Sequence, residues 1–516
     1  MLKRTSLLVA TALAAAPMVQ ADTTPLNVVL ITADDLGYEA YSLFDNELPN
    51  LTPNMDQFAA EGVQFENAHV NYSICQPSRA VMATGMYNTT SGMMGFIHMK
   101  EKNPTIMSTL GELGYRTGIL GKVAHSSPDL DYQWDYVYDA DDLAAGRSPT
   151  LYAQRTLTFI EQAKENDQPF YLMVNSHDPH RVFYDPEANR LGEEETPSQL
   201  YTPEQVTVPD YLPDYPEVRL DLSHYYNSVR RLDDTFGRVI EALEASGQRD
   251  NTLVMFVSDN GSPFPFAKAN TYFASTKTPL LVQWPGGDLK NGHVDTEHLV
   301  SIVDLVPTML DAAGVEIGEH IDGNSFLPLL RGETQDEREF AFSQIDYKIG
   351  GPATPMRSVK SKQYGYIFNP FAGYSQFKVG YDKATIAMME NSGDEHQIAR
   401  AELFRNRVLE EFYDFENDPG NINNLIDHPD YQEKIAAYRA ELEAWMKQTE
   451  DPVLEIFHNR DNPAKVTEMM SSHYPTRESM YPQQQLDKHN ARVAAAKAKR
   501  EAAQQARREA QRAAKQ

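Results

Sequence analysis

"NVVLITADD", residues 27–35, contains a continuous apolar run at 28–31 and ends in two adjacent aspartates. A short apolar run rich in β-branched residues is typical of a strand buried on both faces, as in a parallel sheet covered by helices. Three other segments repeat the pattern and also end abruptly in polar residues: "YRTGILGKVAH" (115–125), "PFYLMVNSHDPH" (169–180) and "NTLVMFVSDNG" (251–261). The sequence therefore predicts a mostly parallel sheet.

Helix-like segments lie between and after these strands. They include "NMDQFAAEG" (54–62) and "SVRRLDDTFGRVIEALEASG" (228–247), in which Gly247 is placed where a helix would stop. A later segment, "SIVDLVPTMLDAAG" (301–314), predicts one more helix with Pro307 near its start or at a kink. Strands that alternate with helices predict an α/β fold with a doubly wound sheet, which gathers its ligands at the carboxyl ends of the strands.

The residue composition of the sequence changes near residue 340. Short segments bearing Tyr and Phe precede "EEFYDFENDPGNINNL" (410–425) and an amphipathic stretch from Tyr431 to Lys447, which together predict a smaller C-terminal α+β domain. We expect a signal peptide at 1–21, a catalytic domain at 22–340, the C-terminal domain at 341–480 and a basic Ala- and Gln-rich tail at 481–516. For the tail, a solvated helix or frayed end is the default, and contact with an anionic polysaccharide is the alternative.

The first residues have the pattern of a cleavable secretory signal. Lys3 and Arg4 precede an apolar run from Leu7 to Val19, and small residues lie near Ala21. The run is too short to span a bilayer as a helix, and no later stretch approaches that length. A buried N-terminal helix is the alternative. We expect an exported protein, periplasmic or secreted, with no membrane span.

Size and charge restrict the possible partners. A chain of 516 residues is long enough for one large domain with a smaller companion and a sizeable core. The formal net charge is −28 at pH 7, which argues against nucleic acid or an anionic surface as a general partner. An anionic substrate must therefore be met by a local group of basic residues.

Four oxygen-bearing residues follow two of the predicted strands. Asp34 and Asp35 end the first strand, and Asp259 and Asn260 end the fourth. Carboxylate and amide oxygens suit a hard divalent cation, calcium or magnesium, better than zinc. The structural alternative is that the two pairs are independent helix caps.

A second group of residues near the predicted strand ends is basic: Arg79, Lys122, His125, His177 and Lys268. Hydrolysis of an anionic ester needs cations for the charged oxygens, a nucleophile, and an acid that protonates the leaving oxygen. Singly, a lysine is more often solvated and a histidine is more often a hydrogen-bonded structural residue. The hypothesis rests on the whole group.

Cys75 is the only cysteine in the chain, so no internal disulfide can form. A lone cysteine is most often a small buried hydrophobe. Its neighbours point elsewhere, because "CQPSRAVMATG" (75–85) resembles the signature of the type I sulfatases, Cys-x-Pro-Ser-Arg followed by Thr-Gly. In that family the cysteine is oxidised to Cα-formylglycine by a maturation enzyme, and the hydrate of this aldehyde is the nucleophile.

The resemblance extends over roughly residues 25–450 and includes several motifs in the family's order. These are "ADDLG", "GKVAH", "HDPH", "SDNG" and the C-terminal "EFYDFENDPGNINNL". The resemblance implies an alkaline-phosphatase-like fold, with these motifs at the strand ends. It also implies that one hydroxyl of the hydrate attacks sulfur and the other expels sulfate, whereas a serine would be stranded as a stable sulfate ester.

The family's functional residues carry over to matching positions. The resemblance implies one calcium ion held by Asp34, Asp35, Asp259, Asn260 and the modified Cys75. Arg79 would orient the formylglycine, and Lys122 and Lys268 would bind sulfate oxygens. His177 would act with Lys268 in protonating the leaving group, and His125 would help to break down the sulfated intermediate.

The motifs point to more than one subfamily. Lys268 is preferred over Lys277 because it stands eleven positions before Pro279, as in iduronate-2-sulfatases, which also share the longer spacing of "GKVAH". Heparan N-sulfatases carry a similar "PFP" segment but have an arginine in place of Lys268. The segment "HDPHR" is closer to that subfamily, and its His180 and Arg181 either contact substrate or only shape the loop.

The leading hypothesis is an exported sulfatase that removes sulfate esters, rather than N-sulfates, from an anionic carbohydrate. Relatives with this layout act on glycosaminoglycans or on algal galactans and ulvans. One alternative is a phosphonate monoester or phosphodiester hydrolase of the same fold. Another is a noncatalytic polysaccharide-binding relative.

Overall fold

The computed structural model describes residues 24–44, 46–99, 102–128, 132–188, 194–348, 351–378, 380, 383–488, 490–491 and 494. The expected signal peptide at 1–21 and most of the expected tail lie outside the described residues. Within the described ranges, no helix is long and apolar enough to cross a membrane.

The strands and helices alternate along the first two thirds of the chain. The strands are β1 (Asn27–Asp34), β2 (Val63–Phe65), β3 (Ala68–His69), β4 (Arg116–Leu120), β5 (Tyr136–Tyr138), β6 (Phe170–Pro179), β7 (Thr252–Ser258), β8 (Leu280–Gln283), β9 (His293–Asp295), β10 (Val300–Ser301), β11 (Ala341–Ile345), β12 (Met356–Lys360), β13 (Tyr364–Phe368) and β14 (Glu410–Asp414). The α-helices are α1 (Pro53–Ala60), α2 (Cys75–Thr84), α3 (Asn88–Ser91), α4 (Ile106–Glu112), α5 (Val123–Ser126), α6 (Pro149–Glu165), α7 (Pro216–Ala245), α8 (Phe273–Thr276), α9 (Leu305–Ala312), α10 (Leu327–Leu330), α11 (Lys383–Glu390), α12 (Glu395–Asn406), α13 (Gln432–Gln448), α14 (Leu454–Phe457), α15 (Pro463–Ser472) and α16 (Arg477–Met480). Short 3₁₀ turns lie at Tyr38–Ala40, Ser42–Phe44, Ala140–Leu143, Ile302–Asp304 and Pro429–Tyr431.

The main sheet of the described chain has the order β5-β4-β6-β1-β7-β8-β2-β9. Strands β5, β4, β6, β1 and β7 are parallel to one another, β8 runs antiparallel to β7 and β2, and β9 is parallel to β2. The four strands expected from the apolar runs are β1, β4, β6 and β7, and they lie side by side at the centre. The predicted α/β fold with a mostly parallel sheet is confirmed.

Helices cover both faces of this sheet, which is why β1 is apolar at successive positions. Val29 and Ile31 pack into a core with residues of α1, α6 and α7. Val28 and Leu30 face the other way, toward residues of α2, α4 and α9. All four side chains are almost fully buried, and each contributes about 1.5–3 kcal/mol.

Two predicted helices differ from their observed bounds for local reasons. Helix α7 begins earlier than expected, at Pro216, because proline is favoured in the first turn, where its missing N–H costs nothing. The segment 301–314 starts as a 3₁₀ turn and becomes α9 at Leu305. Pro307 then lies in the first turn of α9 and does not kink it.

The C-terminal part has its own antiparallel sheet in the order β11-β12-β13-β14. Helix α13 corresponds to the predicted amphipathic stretch and buries Ile435, Leu442 and Trp445. This confirms the expected smaller α+β part, while the boundary at residue 340 stays a prediction.

Candidate active site

The carboxyl ends of adjacent parallel strands bring the predicted polar residues together. Asp34 ends β1, Lys122 follows β4, and Asp259 follows β7. Asp35 and Lys122 have positive φ values of 73° and 51°, so the chain turns sharply as it leaves these strands. The site thus lies at the edge of the sheet where a fold of this class gathers its ligands.

Cys75 is the first residue of α2 and is buried beneath this edge. Its Sγ lies 4.0 Å from Asp35 Oδ1 and 3.5 Å from Lys268 Nζ. Burial, and then the neighbouring carboxylate of Asp34, raise the pKa of the thiol well above its usual value. An unmodified thiol here would be almost wholly protonated, and a protonated thiol is a poor nucleophile.

Arg79, one turn further along α2, ties the helix to the strand ends. It is fully buried and donates from Nε to Asp259 Oδ2 at 2.8 Å. Its Nη1 donates to Thr32 Oγ1 at 2.8 Å and to Asn175 Oδ1 at 2.7 Å, and its Nη2 donates to the carbonyl of Ala33 at 3.2 Å. The guanidinium therefore fixes the position of Cys75 relative to β1, β6 and β7.

Three carboxylates are close enough to share a cation. Oxygens of Asp34, Asp35 and Asp259 lie within 4.8 Å of one another, and all three residues are buried. Asn260 donates from Nδ2 to Asp35 Oδ1 at 2.8 Å, which leaves its Oδ1 as an acceptor. In the described structure, Asp34 Oδ1, Asp35 Oδ2 and Asn260 Oδ1 are buried and receive no hydrogen bond.

These orphaned oxygens fit a hard divalent cation, because buried acceptors without donors are costly unless a charge satisfies them. Burial, reinforced by Asp34 and Asp35, raises the pKa of Asp259 to about 7. Burial would also raise the pKa of Asp34, but Lys122 and other cations outweigh burial and hold it well below its usual value. Oxygens of Asp34 and Cys75 Sγ also come within reach of His180.

The two lysines of the cluster pair with different carboxylates. Lys122 pairs with Asp34 and Lys268 pairs with Asp35, and all four side chains are largely buried. Lys277 is placed differently: its Nζ lies 4.5 Å from the centroid of the Phe44 ring. Of the two lysines weighed in the sequence, Lys268 is the one beside Cys75.

His125 and His177 complete the basic group. Burial, and then Lys122, lower the pKa of His125 to about 4 and that of His177 well below its usual value. Both rings are therefore neutral near pH 7, each with one donor and one acceptor nitrogen. Gly146 packs directly on His177, where an added Cβ would lie 2.0 Å from Nδ1, so any side chain at 146 would displace this ring.

His180 and Arg181 lie at the rim and face different ways. His180 Nε2 is 3.9 Å from Asp35 Oδ2, and the side chain is 37% exposed. Arg181 turns toward Asp221, to which Nη1 donates at 3.0 Å, and its guanidinium packs 4.3 Å from the Phe183 ring. The structure thus brings His180 to the cluster and Arg181 to a neighbouring ion pair.

A sequence profile described as sulfatase matches residues 26–315, more than half of the chain. The chain belongs to the sulfatase family. A second profile, N-sulphoglucosamine sulphohydrolase, C-terminal, matches residues 264–400. The protein is therefore a sulfuric ester hydrolase, as the motifs predicted.

Two relatives resemble this sulfatase over most of its length. N-sulphoglucosamine sulphohydrolase of Homo sapiens is 31% identical over 468 residues, which cover 83% of this chain and 91% of the human protein. An ulvan-active sulfatase of Formosa agariphila is 26% identical over 464 residues, which cover 81% of this chain and 74% of that protein.

Solved structures share the fold. Phosphonate monoester hydrolase of Agrobacterium radiobacter superposes with a TM-score of 0.63 at 18% identity, over 82% of this chain and 96% of that one. A structure in complex with its substrate, D-glucosamine-2-N,6-O-disulfate, has a TM-score of 0.60 at 19% identity, over 83% of this chain and 98% of that one. At such identities the likeness shows the fold alone.

Sequence reasoning missed several residues that support the site of this sulfatase. Asn175 bonds Arg79 and also accepts from Thr32 Oγ1 at 2.7 Å. Asp178 accepts from the fully buried Arg231 at 2.7 and 3.0 Å. Asn175 and Asp178 stand in the strand-end segment 169–180, so their position was a signal. Arg231 lies in the middle of a helix, where the sequence gives no such signal.

Proposed function

We propose that this sulfatase is an exported enzyme that removes sulfate ester groups from a sulfated polysaccharide or its oligosaccharides. The observation that carries the proposal is the placement of two buried ammonium groups, those of Lys122 and Lys268, beside Cys75 and three carboxylates. A sulfate ester is an anion and needs such fixed cations in a chain whose net charge is −28. The names of the human and Formosa relatives support a carbohydrate substrate.

The nucleophile in this proposal is residue 75 after its conversion to Cα-formylglycine by a maturation enzyme. The proposal is supported by "PSR" directly after Gln76 and by the raised pKa of the thiol, which leaves unmodified Cys75 a poor nucleophile. Arg79 would hold the modified residue, because the helix turn between them is fixed by the guanidinium's four contacts.

Calcium is the cation that we propose for the oxygen cluster. Asp34, Asp35, Asp259, Asn260 and residue 75 would hold it, and it would supply a positive charge that polarises a sulfate oxygen. The support is the set of buried oxygens without donors and the three carboxylates whose oxygens lie within 4.8 Å of one another.

The remaining residues would handle sulfate oxygens and protons. Lys122 and Lys268 would bind the oxygens of the sulfate group, and Lys268 with His177 would protonate the leaving oxygen. His125, which is neutral near pH 7, would accept a proton when sulfate is released from residue 75. His180 is proposed as a substrate contact because it is half exposed at the mouth of the cluster.

Hydrolysis of an N-sulfate is the second candidate function. It is favoured by the 31% identity to N-sulphoglucosamine sulphohydrolase and by the matching C-terminal profile. The ester remains our first choice because Lys268 stands where heparan N-sulfatases carry arginine. A lysine ammonium can release a proton to an alkoxide far more readily than a guanidinium can.

Released inorganic sulfate tests the proposal. Purified enzyme would be incubated with carrageenan, ulvan, fucoidan, heparan and chondroitin oligosaccharides, and with aryl sulfate, phosphate and phosphonate esters, and sulfate and phosphate would be measured by ion chromatography. We expect sulfate from at least one O-sulfated oligosaccharide. Release only from heparan oligosaccharides that carry N-sulfate and no O-sulfate would support the second candidate, and faster turnover of phosphate or phosphonate esters would overturn both. No product from any substrate, with an unmodified thiol at Cys75, would favour a noncatalytic binding role.

A further inference from the structure

We propose that Arg407 is a positioning residue for the reaction: acting through Asn270, it holds Lys268 against residue 75. The inference rests on the role proposed above for Lys268. It adds a residue from the C-terminal part of the chain, three positions before the segment 410–425, to the machinery of the site.

The link from Arg407 to Lys268 is a chain of two hydrogen bonds. Arg407 Nη2 donates to Asn270 Oδ1, and Asn270 Nδ2 donates to the carbonyl of Lys268 at 2.6 Å. Because the guanidinium can only donate, it fixes which way the Asn270 amide faces. The amide's NH₂ group is thereby directed to the main chain of Lys268.

The same segment is joined to the turn before Cys75. The main-chain N–H of Asn270 donates to Ser73 Oγ at 3.1 Å, and the Ser73 hydroxyl donates to the carbonyl of Asn270. The N–H of Ala269 donates to the carbonyl of Ser73 at 2.9 Å, and Ala269 has a positive φ of 62°. These bonds fix the segment 268–270 to the chain two residues before Cys75.

Arg407 is itself held rigidly. It is only 6% exposed, and its guanidinium packs 4.6 Å from the Phe377 ring centroid. Its Nη1 donates to Tyr272 OH at 2.6 Å, and Tyr272 OH in turn donates to the buried carboxylate of Glu411 at 2.9 Å. Glu411 belongs to β14, so this chain of contacts connects the C-terminal sheet with the lysine at the site.

Arg400 provides a matched control. It is another largely buried arginine of the C-terminal part, and its guanidinium lies 3.7 Å from the Phe266 ring centroid, in the same aromatic group. Its hydrogen bonds go instead to the carbonyls of Gly420, at 2.9 Å, and Asn421. Substitution of Arg400 therefore disturbs the packing without touching the link to Lys268.

The test compares leaving groups. If Lys268 protonates the leaving oxygen, its placement matters greatly for an alkyl sulfate and little for an aryl sulfate, whose phenolate leaves without help. We expect Arg407→Lys to lower kcat on a sugar or alkyl sulfate by about 10- to 100-fold and on 4-nitrophenyl sulfate by less than about 3-fold, with KM little changed. Arg400→Lys should change both rates by the same factor.

Several outcomes decide the proposal. Equal losses on both substrates in Arg407→Lys, or the same pattern in Arg400→Lys, would assign Arg407 a purely structural role. Asn270→Asp, which keeps the acceptor for Arg407 but removes the donor to Lys268, should reproduce the selective loss and serves if Arg407→Lys fails to fold. Lys268→Ala separates the two proposals. If wild type hydrolyses sulfates and this variant loses the same factor in kcat on the alkyl and the aryl sulfate, the assigned role of Lys268 is wrong and the inference falls with it.

Discussion

Replacing Arg79 by lysine should destabilise the main domain by about 3–6 kcal/mol. Arg79 is fully buried and donates to four acceptors on three different strands or strand ends. A lysine places a single nitrogen there, and we expect at least two of the four acceptors to lose their donor. Each hydrogen bond to a charged group is worth about 1.5–3 kcal/mol, so two lost bonds give the stated range.

Urea unfolding of metal-stripped protein measures this loss, with chelator present so that a bound cation does not add to stability. Arg238→Lys is the control, because Arg238 is 59% exposed and its pair with Glu241 should contribute little. A loss below about 1 kcal/mol for Arg79→Lys would mean that the guanidinium does not organise the strand ends, and the account of how Cys75 is held would be wrong.

Three other perturbations have defined outcomes. Burial lowers the pKa of Lys360 from 10.5 to about 7. Between these two pH values the unfolded chain binds more protons than the folded protein, so the free energy of unfolding should rise with pH. Urea unfolding at pH 7 and 9 should show that Lys360→Met removes up to about 1.4 kcal/mol per pH unit of this slope, and an unchanged slope would contradict the assignment. Calcium at a hundred times its dissociation constant should stabilise wild type by about 2.7 kcal/mol and Asp259→Asn far less, as followed by thermal melting; equal shifts would remove Asp259 from the cation site. Arg357→Leu breaks buried pairs with Asp346 and Asp451 and should cost about 3–5 kcal/mol in chemical unfolding, whereas an unaltered midpoint would show that those pairs contribute nothing.

The central strands were predictable because their side chains obey a simple physical constraint. A strand covered by helices on both faces must be apolar at successive positions, as residues 28–31 of β1 are. Because adjacent parallel strands end at the same edge of a sheet, the polar residues that follow these strands were predicted to lie together. Strand β8 shows the limit: a short apolar run carries no sign of direction, and β8 runs antiparallel.

The residues that support the site were less predictable. Asn175 lies in segment 169–180, one of the predicted strands, but the sequence does not indicate that its amide contacts Arg79. Arg407 and Asn270 are separated by 137 positions, and although Asn270 follows Lys268 by two residues, nothing in the sequence pairs it with Arg407. Contacts of this kind follow from how the C-terminal sheet packs on the main one, and a single sequence contains no direct record of that packing.

The contacts of His180 and Arg181 at the rim of the site were also not predictable from the sequence. His180 and Arg181 are adjacent in the sequence, yet one side chain approaches Asp35 and the other pairs with Asp221. Because the two residues are adjacent, the sequence gave no reason to expect different contacts for their side chains. The direction of each side chain depends on a partner that is distant in sequence, Asp35 for His180 and Asp221 of α7 for Arg181.

The most direct test of the central claim is the inorganic sulfate released from sulfated oligosaccharides by wild type and by Cys75→Ala, produced in the native host so that residue 75 is matured. The substitution changes one small side chain in a large domain, so the variant should keep the melting temperature of wild type to within a few degrees. We expect sulfate from wild type and none above background from the folded Cys75→Ala variant. Sulfate release by that variant at a rate close to wild type would contradict the account.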